Sequence, residues 1–187
     1  MAVVFVEHRF VYLAHRYTGS NATTDALEAI GGRRSVGHHD GVSDLKAQGL
    51  ITEDWLEGAT VCTTVRNPFD ALVTWWTRHD RGRSFRDFIF CLATLPEEVI
   101  GGSTEIVRGG RLYWMHLQDS NAVLRFERLS ADLDAVLSRV GLPAVQLPHR
   151  NPTAGREGDY RGYYDPTTRA LVEELFAVEL ASLDYTF

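Results

Sequence analysis

The sequence contains little of what several common protein classes require. It has two cysteines, Cys62 and Cys91, and Cys62 lies within an apolar, β-branched run, which favours a buried reduced thiol over half of a disulfide framework. No apolar run has the length of a membrane span, and Glu7 interrupts the apolar N-terminal residues well before a signal-peptide core is complete. We therefore expect a cytoplasmic protein without a membrane among its partners.

Lysine is almost absent. Of the 19 lysine and arginine residues, 18 are arginine, and Lys46 is the single lysine. Any anion site must therefore use guanidinium, imidazole, hydroxyl or backbone N–H donors. The sequence Gly-x-x-x-x-Gly-Lys-Ser/Thr of nucleotide-binding P-loops is also missing, which disfavours the usual ATP or GTP chemistry. The net charge of −6 argues against a general nucleic-acid binder, so we expect no nucleic-acid partner.

The residues that are present predict one α/β domain over residues 1–187. A chain of 187 residues with 44% hydrophobic content suits a single substantial core. Strand-like and helix-like stretches alternate, which predicts a central parallel sheet with helices on both faces, a three-layer α/β/α arrangement. The predicted strands are residues 10–14, 33–37, 59–65 and 122–126. The predicted helices are residues 23–30, 43–48, 53–56, 68–78, 85–95, 131–141 and 166–181, and four of them have the caps Thr52, Ser84, Ser130 and Asp165.

Residues 9–27 have the layout of a strand, a small-residue loop and a helix. The apolar run stops at His15, and the residues after it are mostly short, hydroxylated or glycine. Gly19 would let the backbone approach a ligand closely, and the N–H groups of the following helix favour an anion. Hydroxyl donors are available from Ser20, Thr23 and Thr24. The layout is therefore typical of a phosphate-binding loop, although such residues also serve as ordinary helix caps that bind nothing.

A second strand edge leads into a helix at Arg66. Asn67 and Pro68 would start this helix, and the carboxylate of Asp70 would interact favourably with the positive N-terminal end of the helix. The helix then carries Thr74, Trp75 and Trp76. We expect the two tryptophans in the core. The alternative is that they line the cleft that binds the acceptor.

Both stretches resemble motifs of sulfotransferases. The first resembles the 5′-phosphosulfate loop, His-x-Pro-Lys-Thr-Gly-x-Thr-Ser, with the lysine missing and Tyr17 in or near its place. The second, residues 65–74, resembles the 3′-phosphate motif Val-Arg-Asn-Pro-x-Asp-x-x-x-Ser, with Thr74 in place of serine. Three later stretches resemble the carbohydrate-type branch of the family in the same order: residues 121–129, 149–153 and 160–187. Residues 82–120 match no part of the pattern.

The resemblance implies a P-loop-like sulfotransferase fold and transfer of a sulfuryl group from 3′-phosphoadenosine 5′-phosphosulfate to a hydroxyl or amine of a glycan or small molecule. Arg66 and Thr74 would bind the 3′-phosphate, a group suited to a guanidinium fork. Arg161 and Gly162 would cover the adenine and the 3′-phosphate, or form a solvated turn before the last helix. The residues that the resemblance assigns to the donor are His15, Arg16, Tyr17, Thr18, Gly19, Ser20, Asn21, Ala22, Thr23, Arg66, Thr74, Arg161 and Gly162.

The reaction needs a base on the acceptor and positive charge on the leaving phosphate, and it requires no metal. We predict His39 as the base and His38 as the second choice, because imidazole titrates near neutral pH. A polar loop without catalytic function is the alternative for both. Asp44 and Glu57 are further candidates. A metal site built from these histidines with His149 would match no standard ligand spacing.

Because the loop has no lysine, stabilisation of the leaving group would have to come from Arg16, His15 or the backbone of Gly19 and Ser20. Arginine is not an equal replacement, because it cannot hand over a proton. Two alternatives therefore stand beside an active enzyme: a relative that binds the nucleotide without turnover, and an atypical P-loop-like kinase. The identity of the acceptor and the oligomeric state do not follow from the sequence.

Overall fold

A computed structural model of the chain describes residues 1–37, 40–94, 112–113, 115–148 and 153–187. The chain forms two compact units. The first contains Met1–Arg66 and Met115–Arg150, and the second contains Asn67–Trp114 and Asn151–Phe187. The division falls inside the second motif, between Arg66 and Asn67. A single domain over the whole chain stays a prediction.

The first unit is mixed α/β and contains a five-stranded sheet. Its strands are β1 (Ala2–Phe5), β2 (Phe10–Leu13), β3 (Arg33–Arg34), β4 (Thr60–Val65) and β5 (Ala122–Arg125), in the order β3-β1-β2-β4-β5. The strands β2, β4 and β5 are parallel, whereas β1 is antiparallel to both β2 and β3. The prediction of a wholly parallel sheet is therefore wrong at the β3-β1 end.

The antiparallel part comes from a hairpin that the sequence did not predict. All four residues of β1 are buried, so its sequence shows none of the alternation that identifies a half-exposed strand. The turn to β2 contains no glycine, and Arg9 adopts a left-handed backbone conformation (φ 47°). Its N–H donates to the carbonyl of Val6 at 3.3 Å, which closes the turn. A turn without glycine or asparagine gives little local signal of a hairpin.

Helices of the first unit pack against both sets of strand side chains. These helices are α1 (Ser20–Ala29), α2 (Val42–Ala47), α3 (Glu53–Leu56) and α6 (Leu129–Arg139). One apolar cluster joins Phe10 and Tyr12 to Leu27 of α1 and Leu133 of α6. A second joins Val11, the residue between them, and Val4 to Leu45 of α2. Because successive strand side chains point to opposite faces, the clusters use different faces of the strands.

The second unit is built from α4 (Pro68–His79), α5 (Phe85–Thr94), α7 (Pro166–Leu175) and α8 (Ala177–Ser182). Its apolar contacts are largely aromatic: Trp75 stacks on Phe88 with ring centroids 4.9 Å apart, and Phe69 lies edge-on to Phe187 at 4.9 Å. The last helix was predicted as continuous, but it is interrupted at Phe176. None of the helices in the described ranges is long and apolar enough to cross a membrane.

Local capping signals predicted most helix starts correctly. The side chain of Asn67 accepts from the N–H of Phe69 at 3.1 Å, with Pro68 as the first helical residue. Caps are also formed by Thr52, Ser84 and Asp165. Ser130 is the exception, because α6 begins at Leu129 and encloses it.

Replacement of Gly32 by alanine should destabilise the first unit. A Cβ at this position would clash with Cγ1 of Val3 and lie 2.8 Å from the ring of Phe5, two buried side chains of β1. Overpacking of this kind costs about 1–3 kcal/mol. Gly82→Ala is the matched control, since a Cβ there meets nothing within 4 Å. Urea unfolding should give a lower midpoint for Gly32→Ala alone, and equal midpoints for both variants would contradict the packing.

Candidate anion-binding site

The parallel strands of the first unit bring three segments to one edge of the sheet. Leu13 pairs with Thr63, and Val65 pairs with Arg125, so β2, β4 and β5 end on the same side. The hydroxyl of Thr63 donates to the carbonyl of Leu13 at 2.8 Å and ties two of these ends together. The loop 14–19, Arg66 and Phe126 follow directly. Ligands of parallel sheets bind beyond this edge.

The loop is held by internal contacts and by two left-handed residues. Tyr17 has φ 62° and Gly19 has φ 75°. The hydroxyl of the buried Thr18 donates to the carbonyl of His15 at 2.8 Å. A Cβ on Gly19 would lie 3.0 Å from Leu129 and 3.3 Å from Phe126. Glycine is therefore required at this position by the backbone conformation and by side-chain packing.

The helix α1 begins at Ser20, three residues earlier than predicted, and its N-terminus has no side-chain cap. Its first backbone bond runs from the N–H of Thr23 to the carbonyl of Gly19 at 3.1 Å, so the N–H groups of Ser20, Asn21 and Ala22 precede the helical ladder. The first turn of this helix has no acidic residue that would offset its positive end. The first turn thus provides backbone donors and a positive dipole end for an anion.

The hydroxyl of Thr23 makes a structural contact, whereas the buried hydroxyl of Thr24 has no hydrogen-bond partner among the described residues. Thr23 is buried, and its hydroxyl donates to the carbonyl of Gly19 at 3.3 Å. Thr24 is also buried. Of the three hydroxyls predicted as ligand donors, only that of Ser20 belongs to a residue with partial exposure.

Arg66 joins the two sequence motifs. Its Nη1 donates to the carbonyl of Tyr17 at 3.0 Å, and its guanidinium lies over the ring of Phe126, 4.1 Å from the ring centre. Arg66 is only 8% exposed. A buried guanidinium needs acceptors and a favourable surface, and the loop carbonyl and the aromatic face supply both. The cation and the loop therefore lie in direct contact at the sheet edge.

A pair of buried histidines lies in the same unit. The rings of His15 and His116 are 5.4 Å apart and nearly perpendicular. His15 was predicted at the donor site, but His116 was missed because it lies in the stretch that matched no motif. Arg16 follows His15 and is half-buried.

Tyr12 lies in the sheet beneath the loop. Its hydroxyl is 3.2 Å from Oγ1 of Thr64. Burial raises the pKa of Tyr12 to about 12, and hydrogen bonds with Thr64 and Thr23 oppose that shift without cancelling it. Tyr12 therefore links β2 to β4 and to the first turns of α1.

Cys62, also on β4, is a buried free thiol as predicted, and burial raises its pKa.

Thr74 belongs to the second unit and is 2% exposed. Nη1 of Arg156 donates to its hydroxyl at 2.8 Å, and Nη2 of Arg156 pairs with Asp70. Sequence reasoning missed Arg156, which lies between two glycines of an irregular segment without a spacing that marks it.

Arg161 and Gly162 lie in a 3₁₀ turn, Tyr160–Tyr163, that Asp159 caps. Nη1 of Arg161 pairs with the same carboxylate at 3.0 Å. The hydrogen bond from the backbone N–H of Arg161 contributes most to holding the pKa of Asp159 below its usual value. Arg161 and Gly162 are both exposed in this turn, and a role at the donor stays a prediction.

The two histidines predicted as the base stay predictions. His38, His39 and His149 lie outside the described residues. Asp44 is exposed and accepts the N–H of Gly41 at 2.9 Å, and Glu57 is also exposed. Among the described residues, no group of three or more His, Cys, Asp or Glu side chains could hold a metal ion.

The tryptophans of α4 make core contacts. Trp75 is buried and stacks on Phe88, while Trp76 lies edge-on to Phe85 at 5.5 Å. The indole N–H of Trp76 donates to the carbonyl of Arg83 at 3.0 Å. These contacts match the core interpretation of the two side chains.

No protein-family model, curated protein or solved structure matches this chain. The likeness to sulfotransferases therefore rests on the motifs of the sequence.

The burial of Tyr12 predicts a specific loss of stability at alkaline pH. An unfolded tyrosine ionises near pH 10, whereas the folded protein keeps this proton until about pH 12. Its contribution is complete below pH 10 and is lost between pH 10 and 12, at about 1.4 kcal/mol per pH unit. The difference in unfolding free energy between the protein and Tyr12→Phe, measured by urea titration, should therefore shrink over that range. Parallel pH profiles would contradict the assignment.

Proposed function

We propose that this chain is a sulfotransferase that uses 3′-phosphoadenosine 5′-phosphosulfate as donor and a hydroxyl or amine of a glycan or small molecule as acceptor. The observation that carries the proposal is the contact between Arg66 and the carbonyl of Tyr17 at 3.0 Å. It brings together two motifs, 49 residues apart in the chain, that the resemblance assigns to two phosphate groups of one donor. The proposal includes a three-layer, P-loop-like architecture and a cytoplasmic location.

The donor would bind at the carboxyl edge of β2 and β4. The N–H groups at the start of α1, with the positive helix end behind them, would hold the phosphosulfate. Arg66 would supply a guanidinium to a phosphate, in exchange for its contact with the loop carbonyl. Arg16 and His15 would add positive charge beside the loop.

The reaction would be an in-line displacement at sulfur. The acceptor oxygen or nitrogen forms a bond to sulfur while the bond from sulfur to the 5′-phosphate oxygen breaks, and 3′-phosphoadenosine 5′-phosphate leaves. A base removes the proton of the acceptor, and His39, or else His38, remains the proposed base. Donors around the loop stabilise the negative charge on the leaving phosphate oxygen. The proposed step uses no metal.

One observation favours a second candidate, a relative that binds the nucleotide without efficient turnover. Tyr17 stands where the family has lysine, and its left-handed backbone directs its carbonyl to Arg66. Its side chain carries no positive charge at neutral pH. The two candidates share the donor site and differ in the rate of transfer.

Arg66→Ala should weaken binding of 3′-phosphoadenosine 5′-phosphate by about 2 kcal/mol, or roughly thirtyfold, since a charge-assisted contact is lost. Isothermal titration against adenosine 5′-phosphate, which lacks the 3′-phosphate, should show much less change. Arg66→Lys should retain part of the affinity, because it keeps the charge without the fork.

Arg33→Ala is the matched control, an exposed arginine on β3 at the other end of the sheet. It should bind like the unmodified protein. If Arg66→Ala is folded by circular dichroism and binds both nucleotides unchanged, the donor site is not at this edge.

Tyr17→Lys should raise sulfuryl transfer by at least about tenfold, a modest part of what a charge at a leaving group supplies. Transfer from labelled donor to a panel of glycans and phenols measures it. Tyr17→Gly separates the causes, because it relaxes the left-handed backbone without adding charge. Equal rates in the two variants would show that charge at position 17 does not limit the reaction.

A further inference from the structure

His15 and His116 form a pair of buried imidazoles, and both residues belong to the first unit. His15 lies in the loop 14–19 that follows β2, and it is 7% exposed. His116 has no exposed surface, and the two rings meet nearly at right angles with their centres 5.4 Å apart. Imidazole is the side chain that titrates near neutral pH. The pair therefore places a titrating group at the start of the candidate anion-binding loop.

One contact identifies the nitrogen of His15 that can gain a proton. Nδ1 of His15 lies 3.3 Å from the carbonyl oxygen of Arg16. A carbonyl can only accept, so this hydrogen bond requires that Nδ1 carries the proton of the neutral ring. A second proton then goes to Nε2, and it gives the ring a positive charge and another N–H donor. The bond to the carbonyl of Arg16 is kept in both states.

The groups on the loop side of the pair oppose a positive charge on His15 while no anion is bound. Burial disfavours the charged form of an imidazole. Arg16 is the next residue in the chain, and Arg66 donates to the carbonyl of Tyr17 in the same loop. A third cation beside these two arginines is repelled by both of them. An anion at the loop would reverse this balance.

Carboxylates lie beside the segment that carries His116. A Cβ on Gly41 would lie 3.8 Å from the carboxylate of Asp119 and 3.9 Å from both the carboxylate of Asp44 and the carbonyl of Met115. Burial alone would raise the pKa of Asp40, but its hydrogen bonds outweigh burial and lower that pKa. Because these groups favour a cation on the His116 side, each imidazole has to be tested separately.

The α-amino group of Met1 is a further titrating group near the loop. The carbonyl of Met1 accepts from the N–H of Ala14 at 3.0 Å, one residue before His15. Burial lowers the pKa of this amine to about 6. A measurement of proton uptake must therefore distinguish the amine from the imidazoles.

We propose that His15 takes up a proton when an anion binds at the loop 14–19, and that His116 is the neutral ring that positions it. The inference rests on the proposed function, in which this anion is the phosphosulfate of the donor. The proton comes from the buffer and goes to Nε2 of His15. An anion offsets the repulsion from Arg16 and Arg66, so the bound state favours the charged imidazole.

The pair should take one proton in total, because two charged imidazoles this close would repel each other. His15 would then supply the loop, which has no lysine, with a cation that can hand over a proton as arginine cannot.

Proton uptake fixes the direction in which anion affinity depends on pH. The bound state holds more protons than the empty state, so affinity falls as pH rises. For one proton, the fall is up to about tenfold per pH unit between the pH values at which His15 titrates in the two states.

The experiment is isothermal titration of the full chain with adenosine 5′-phosphosulfate in two buffers that differ in ionisation enthalpy. The phosphosulfate does not titrate near neutral pH, so a heat that depends on the buffer reports protons taken up by the protein. We expect an uptake that approaches about one proton as the pH is varied around neutrality. His15→Phe should abolish it, and His15→Gln serves if that variant does not fold.

His116→Phe should retain the uptake, because it keeps an aromatic ring against His15 and removes only the second imidazole. His116→Ala removes the ring that positions His15 and should bind more weakly than His116→Phe. The control is His8→Gln, since His8 is an exposed histidine of the same unit whose Nδ1 also lies near a carbonyl, that of Val140 at 2.9 Å. This control should leave the uptake unchanged.

Uptake that persists without the imidazole of His15 assigns the proton to another group, such as the amine of Met1, and overturns the inference. Uptake that is lost in His116→Phe, or binding without any uptake, overturns it as well. The proposed function stands in all three cases. A folded chain that does not bind adenosine 5′-phosphosulfate overturns both, because both place the phosphosulfate at this loop.

Discussion

The parallel pairing of β2 with β4 and of β4 with β5 is the constraint on which the candidate site depends. Backbone hydrogen bonds fix the register, and the register fixes which residues emerge at the carboxyl edge. Arg66 leaves β4 there, beside the loop that leaves β2. Since the guanidinium is almost fully buried, it needs acceptors, and the carbonyl of Tyr17 is one of them. The left-handed conformation of Tyr17 is therefore coupled to the burial of Arg66.

Arg66 and Arg156 both donate to acceptors of the protein itself, and the acceptors that the structure gives them differ in charge. Arg66 donates to a neutral carbonyl, whereas Arg156 pairs with the carboxylate of Asp70. Affinity for an anion is the difference between the new contact and the one it replaces, so a neutral acceptor opposes binding less than a charged one. The same contacts keep each buried charge stable when no ligand is bound.

Much of the fold could be predicted because its signals are local. Asn67 with Pro68, Thr52 and Asp165 each mark a helix start through a bond to a backbone N–H within three residues. The hairpin of β1 and β2 could not, because its pairing joins two fully buried strands through a turn without glycine. The sheet-edge position of the loop and of Arg66 also followed from sequence order. Arg156 did not, since its partner Thr74 is 82 residues away in the chain.

The near absence of lysine bears on the chemistry of the site as well as on its recognition. In the proposed transfer, the phosphate that leaves sulfur is stable as an anion, so that step would require positive charge at the bridging oxygen more than a proton. Guanidinium supplies charge and a fixed fork of donors but cannot transfer a proton at neutral pH. Since 18 of the 19 lysine and arginine residues are arginine, the cationic side chains of this chain can stabilise negative charge on the leaving oxygen. In the proposed reaction the acceptor's proton would then go to an imidazole or a carboxylate, so the two halves of that reaction would use different classes of side chain.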